Sequence, residues 1–253
     1  MPETAWADET LDFLCGEDLR IVQKKRGYRF SIDAILLANF VILKKNERLL
    51  DIGTGCGIIP VYMTRMGLQN SMIGIELQLG LFQAAVKNRE INNCGNIQFL
   101  QGDIRTEAQV LRDARIDVIV SNPPYTKRGS GRKSPDDSRY VARYETELDL
   151  PLLLSFSSSL LQRKGRLYVI YPVKRLAELI YSAKSQRLEL KRVRFVQPRR
   201  GEKPNLFLAE LLKEGGVGTI VEKPLCIYDN GNYTEEVKSY YSLKGPAWKA
   251  LQD

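Results

Sequence analysis

The chain has 253 residues, with 38 Lys plus Arg against 30 Asp plus Glu for a net charge of +8, four cysteines and no histidine. Hydrophobic residues at 43% and charged residues at 27% specify a folded chain with a sizeable core and exclude a disordered one. Cys15, Cys56, Cys94 and Cys226 lie far apart, with no histidine to complete a ligand set, so no metal site is expected. Without an apolar h-region or a run of membrane-spanning length, the expected location is the cytoplasm, with reduced thiols. The basic excess favours a polyanionic partner without requiring one. The lack of imidazole means that any chemistry proceeds without the commonest general base.

In chain order, residues 1–46 read as an N-terminal extension. It holds a hairpin of Leu19–Gln23 and Tyr28–Ser31 around Lys24-Lys25-Arg26-Gly27, then a helix from Asp33 to Leu43. From residue 48 apolar runs alternate with helix-like stretches. Strands are predicted at Arg48–Ile52, Met72–Glu76, Ile97–Gln101, Ile116–Ser121 and Gly165–Tyr171. Helices are predicted at Ile58–Met66, Leu77–Asn92, Thr106–Ala114, Leu150–Leu161 and Val173–Ala183, with Pro60 tolerable in a first turn. The alternation specifies an α/β, doubly wound, mostly parallel sheet. Two further strands, Leu188–Val196 and Leu206–Leu212, are separated by Gln197–Pro204, a connection too short for a crossover helix. They are expected as an antiparallel hairpin at the sheet edge, bringing the sheet to seven strands. Residues 47–215 form the expected core. Residues 216–253, with a turn at Asp229-Asn230-Gly231, form a tail packed on it.

Between the first predicted strand and its helix lies Asp51-Ile-Gly53-Thr-Gly55-Cys-Gly57. Missing side chains there let backbone amides and a helix N-terminus approach a ligand closely. The spacing is G-x-G-x-G with an acid before it, not the G-x-G-x-x-G of dinucleotide enzymes. This form resembles motif I of the class I methyltransferases. Glu76 ends the second strand, about 20 residues past the loop, where an acid can accept both ribose hydroxyls of a nucleoside. Asp103 ends the third. The resemblance implies S-adenosylmethionine as cofactor. It places Asp51 and the Gly53 backbone toward the methionine part, Glu76 with neighbouring Leu77 at the ribose, and Asp103 with Ile104 at the adenine. Taken singly, each acid is equally well an ordinary polar residue at a strand end, and Cys56 reads as a small filler.

The fourth strand delivers Asn122-Pro123-Pro124-Tyr125. Prolines restrict the backbone so that the Asn122 side chain and the Pro123 carbonyl can point the same way. An adenine N6 or a glutamine amide nitrogen is a poor nucleophile because its lone pair is delocalised. Two fixed acceptors for its N–H groups draw it toward tetrahedral geometry as a methyl group arrives, favouring the transition state over the ground state. Asn122, Pro123 and Tyr125 are therefore the catalytic candidates, with Asn122 also bordering the cofactor and Tyr125 offering a stacking face for a planar target.

The D-x-G-x-G-x-G and N-P-P-Y pair is shared by amino-methyltransferases acting on adenine in RNA or DNA, guanine N2 in ribosomal RNA, and glutamine in release factors. Only 50 residues precede Asp51, fewer than the helical recognition domain of release-factor enzymes implies, and no room is expected for a DNA target-recognition domain. Gly27-Tyr-Arg-Phe-Ser-Ile-Asp33-Ala-Ile-Leu-Leu37, the N-P-P-Y loop and Ala142-Arg143-Tyr144-Glu145 resemble the bacterial tRNA(Val) adenine N6-methyltransferase family. In that family the target is the adenine 3' to the anticodon. The resemblance implies tRNA as partner and methylation of adenine N6.

Local charge agrees with an RNA partner. Lys127, Arg128, Arg132 and Lys133 lie in a glycine-rich segment that reads as a lid over the target base; Arg143 and Glu145 are candidates to order it, by pairing with each other or with the Asn122 loop, and the sequence does not decide between these. A second cluster comprises Lys191, Arg192, Arg194, Arg199, Arg200 and Lys203, and a third Lys24, Lys25 and Arg26. Asp33 reads either as a crevice residue or as a first-turn acid favoured by the helix dipole. Two alternatives stay open: another planar nitrogen, in ribosomal RNA or a protein glutamine, and a non-catalytic module that binds cofactor and RNA. Nothing in the sequence indicates oligomeric state.

Overall fold

The computed structural model describes residues 8–16, 18–27, 29–123 and 149–242. The N-terminal segment forms β1 (Glu9–Leu14), β2 (Leu19–Lys24) and helix α1 (Ile32–Phe40). Strand and helix then alternate through β3 (Leu49–Ile52), α2 (Ile58–Arg65), β4 (Met72–Glu76), α3 (Leu79–Ile91), β5 (Ile97–Gln101), α4 (Ile104–Asp113) and β6 (Ile116–Ser121). After residue 148 come α5 (Leu150–Leu160), β7 (Leu161–Pro172), a 3-10 turn at Val173–Arg175, α6 (Leu176–Ser185), β8 (Leu188–Arg199) and β9 (Leu206–Lys213). The described chain closes with β10 (Ile220–Val221), β11 (Leu225–Asp229), β12 (Asn232–Tyr233) and α7 (Glu235–Tyr240).

The main sheet runs β12-β11-β8-β9-β7-β6-β3-β4-β5, with β10 also paired to β8. Pairings from β5 to β7 are parallel, and β9 is antiparallel to both β7 and β8. Because strand side chains alternate, the sheet feeds two cores. Val118, Val120, Tyr168 and Ile170 pack into the layer with α1, α2 and α3. Ile119, Leu167, Val169 and Tyr171 pack into the layer with α5 and α6. Burial on both faces explains why β3, β4 and β6 are short, nearly continuous apolar runs. Helix starts are set by side-chain caps: Asp103, Asp149 and Thr234 accept from Arg105, Leu152 and Val237 N–H groups respectively.

The architecture meets the sequence expectation for the seven core strands and departs from it at both ends. The β8–β9 hairpin is present but does not form the edge, because β10 and β11 pair in parallel along the outer side of β8. The tail beyond residue 215 thus contributes strands to the same sheet. At the N-terminus, β2 pairs with the upstream β1, and residues 29–31 of the predicted partner are not in a strand. The other edge of β2 is closed by α3 and its C-cap. Asn88 in the last turn of α3 and the C-cap residue Asn92, both buried, stand in for a second partner strand for β2. Asn88 Oδ1 accepts from Val22 N–H at 2.7 Å and its amide donates to Val22 O at 3.0 Å. Asn92 makes the same pair of bonds with Arg20, at 3.1 and 2.6 Å. Side-chain amides carry both a donor and an acceptor, so they satisfy an exposed strand edge.

Candidate active site

After β3 the chain builds β4 and β5 to one side, then returns to β6 on the other. Ligands of doubly wound sheets bind outside the carboxyl ends of strands at such a reversal. The ends of β3, β4, β5 and β6 carry, in turn, Asp51, Glu76, Asp103 and Asn122.

Asp51 sits between Gly74 of β4 and Val120 of β6 and is 1% exposed. Its Oδ2 accepts the Thr54 hydroxyl at 2.6 Å. Its Oδ1 is buried with no hydrogen-bond partner among the described residues. Burial pushes the Asp51 carboxyl up to about 7; the Thr54 hydrogen bond opposes that rise and the negative charge of Glu76 adds to it. The loop after Asp51 turns through three left-handed glycines, Gly53, Gly55 and Gly57, at φ 71°, 59° and 78°. At Gly57 a Cβ would also lie 2.6 Å from Phe99 Cζ, so both conformation and space require glycine there. Burial pushes the Cys56 thiol up to about 12, which makes it an inert filler in the loop.

Glu76 is buried and locks the loop to the next helix. Gly55 N–H donates to its Oε2 at 2.9 Å and Gln78 N–H to its Oε1 at 2.9 Å. Leu77, half-buried, follows it. Gly102 N–H donates to Glu76 O at 3.0 Å, which brings the end of β5 alongside. There Asp103 caps α4 and is chelated by Arg105, whose Nε lies 2.9 and 2.8 Å from the two oxygens. That guanidinium holds the Asp103 carboxyl below its usual range. To meet an adenine amino group, Asp103 must share its acceptors with Arg105. Ile104 is buried and packs with Ile52, Ile73 and Ile75 beneath the crevice.

Ser121 donates its hydroxyl to Ile52 O at 2.8 Å, tying the residue before Asn122 to the end of β3. Asn122 is half-buried and Pro123 buried. The structure therefore brings Asp51, the three glycines, Glu76 and Asn122 together at the carboxyl ends of neighbouring strands. Tyr125, Lys127, Arg128, Arg132, Lys133 and Arg143 lie outside the described residues, as do Pro124 and the rest of Ala142–Glu145.

Of the second basic cluster, half serves the fold. Arg192 bonds Glu210 and Glu222, each at 2.8 Å, and lies over the Phe40 ring. Arg194 pairs with Glu236, and the Lys191 amine donates to the carbonyls of Gly216 and Gly218. Arg199, Arg200 and Lys203 stay exposed. At the N-terminus Lys24 pairs with Glu9 at 3.5 Å. Asp33 is a first-turn acid of α1, its N–H donating to the Ser31 hydroxyl at 3.3 Å.

Three contributors escaped the sequence reading: Thr54, Ser121 and Asn88, whose amide also donates to Cys56 O at 2.8 Å. Asn88 had a signal. Leu81, Ala84, Ala85 and Asn88 are the buried positions of α3, so a polar residue falls on an apolar helical stripe, which calls for a buried partner.

A profile described as "Methyltransferase domain" matches residues 43–221. The tRNA1(Val) (adenine(37)-N6)-methyltransferase of Tolumonas auensis is 30% identical over 218 residues, 85% of this chain and 89% of that protein. The chain belongs to this methyltransferase family. The enzyme of the same name from Porphyromonas gingivalis is also 30% identical, over 78% of this chain and 80% of its own length. Among solved structures, a predicted O-methyltransferase from Agrobacterium tumefaciens superposes with a TM-score of 0.69 at 20% identity, covering 85% of this chain and 97% of that one. A methyltransferase from Pyrococcus furiosus gives 0.54 at 19% identity, over 78% and 89%. Both share the class I methyltransferase fold.

The crevice fits the cofactor of such enzymes. The unpartnered Asp51 Oδ1 is an acceptor for the ammonium of a methionine moiety. The left-handed glycines remove side chains from the approach, and Glu76, buried at the end of β4, presents a carboxylate whose oxygens can each accept more than one hydrogen bond.

Proposed function

We propose that this chain is a cytoplasmic enzyme that transfers a methyl group from S-adenosylmethionine to the N6 amino group of an adenine in RNA, in the anticodon loop of tRNA(Val). The observation that carries this reading is the placement of Asn122-Pro123 at the end of β6, next to the β3 end that bears Asp51 and the glycine loop. The match to adenine N6 enzymes over most of the chain supports it.

S-adenosylmethionine, when bound, supplies an electrophilic methyl group on a sulfonium. The protein's own part is binding and alignment. Asp51 holds the methionine end, and Glu76 fixes the loop and accepts from the ribose. Asn122 Oδ1 and the Pro123 carbonyl accept the two N6 hydrogens, which localises the nitrogen lone pair and orients it. The transferred group makes the nitrogen strongly acidic, so its proton leaves to water without a histidine. An unpaired loop base costs less to bring into such a site than a duplex one.

The test is to incubate the protein with labelled S-adenosylmethionine and, separately, total tRNA, ribosomal RNA and release factor. Label in tRNA is expected. Label confined to ribosomal RNA or to protein would overturn the choice of substrate while leaving the methyltransferase intact.

A further inference from the structure

The edge of the sheet that bears Asn122 continues past the methyl-transfer site. From β6 the order is β7, β9, β8, β11, four steps that place β11 about 19 Å away along one edge. Pairing fixes which chain ends lie there: Pro172 opposite Leu206, Val196 opposite Leu206, and Tyr228 opposite Arg199. Exposed Lys174 follows β7, where Val173 N–H donates to Asn205 O at 3.0 Å. Arg199, Arg200 and Lys203 line the β8–β9 connection, and Tyr228 ends the row.

At that end three tyrosine rings form a column. Tyr228 and Tyr233 have centroids 5.2 Å apart and planes at 22°; Tyr233 and Tyr241 are 5.6 Å apart and at 3°. Tyr233 and Tyr241 are half-buried, whereas Tyr228 is 37% exposed. The column is anchored at one end and open at the other. Beside the open end, Arg199 and Arg200 side chains are 67% and 79% exposed. Their ion pairs, to Glu202 at 3.1 Å and Asp229 at 3.7 Å, are solvent-exposed and exchange readily for a phosphate.

We propose that Tyr228 caps a stacking platform for an unpaired base of the RNA substrate, a few nucleotides along the strand from the adenine at Asn122. Arg199, Arg200 and Lys203 meet the intervening phosphates. This rests on the RNA reading of the active site and extends it to a second contact. An aromatic face with adjoining cations accepts any base, which suits a position that grips the strand while selection of the target occurs elsewhere.

Steady-state methylation of tRNA by Tyr228→Ala, Tyr228→Phe and Arg200→Ala tests it, with S-adenosylmethionine affinity and thermal midpoint measured on each variant. Tyr228→Ala is expected to raise KM for tRNA about tenfold, the effect of one lost base stack, with kcat and cofactor affinity unchanged. Tyr228→Phe should restore KM. Arg200→Ala should raise KM less and flatten its dependence on salt. An unchanged KM in Tyr228→Ala overturns the platform. So does a loss of cofactor affinity and thermal midpoint in step with KM, which assigns the column to holding α7 on the sheet. Failure of the unaltered protein to methylate any RNA would remove the RNA reading, and the platform with it.

Discussion

Glu76 and Gly55 are joined by a 2.9 Å hydrogen bond from the loop N–H to one carboxylate oxygen, while the other oxygen accepts from Gln78 N–H at 2.9 Å. Both oxygens must therefore be acceptors. Glu76→Gln presents an NH2 to a buried N–H, which costs about 1–3 kcal/mol. A lowered thermal midpoint and at least about tenfold weaker S-adenosylmethionine binding are expected by calorimetry. Unchanged affinity would detach Glu76 from the cofactor.

Asp51 sets a pH dependence. Its folded pKa of about 7 stands above the unfolded value, so the folded state holds the proton more tightly. Its contribution to stability is full below about pH 4 and is lost as pH rises through about 7. Pairing with an ammonium reverses this preference, so cofactor affinity should strengthen as pH rises toward 7. Asp51→Asn should flatten that part of both profiles. An affinity that weakens over the same range would contradict the pairing.

Asn122→Ala is expected to lower kcat by about a hundredfold or more, the scale of a lost transition-state acceptor, with the dissociation constant for S-adenosylmethionine nearly unchanged. Asn122→Asp keeps an acceptor and should retain more activity than Ala. A large loss of cofactor binding in Asn122→Ala would mean that the residue holds the cofactor and not the target.

Gly74 faces the Phe99 ring so closely that a Cβ would lie 2.6 Å from Cδ1 and Cε1, and 2.9 Å from Thr54 Oγ1. Gly74→Ala should cost about 1–3 kcal/mol by overpacking. Adding Phe99→Ala should recover part of that loss relative to Phe99→Ala alone, since the two residues touch. Strict additivity in denaturant unfolding would show that the strain is relieved elsewhere.

Between residues 48 and 121 the sequence foretells strands well, because β3, β4 and β6 are buried on both faces and admit few polar residues. The acids at their ends are legible for the same reason: polarity returns where the strand leaves the core. The pairing of β2 was not legible. Glu9–Leu14 mixes acids with apolar residues, and the side chains that close the other edge of β2, Asn88 and Asn92, lie far along the chain. Charge clusters read from composition alone were also too generous. Arg192 and Arg194 lie on a strand that the tail covers, so Glu222 and Glu236 claim them, while Arg199 and Arg200 emerge past the strand's end. Asp103 was legible as a strand-end acid, but its Arg105 partner follows from helix capping, which a motif does not encode.

Methylation of adenine N6 in the anticodon loop is tested most directly by nucleoside mass spectrometry on two tRNA(Val) transcripts incubated with the protein and S-adenosylmethionine. One carries the natural adenine 3' to the anticodon, and the other a guanine there. N6-methyladenosine is expected in the first and none in the second. Equal N6-methyladenosine in both, or its absence from the first while another RNA is methylated, would contradict that target.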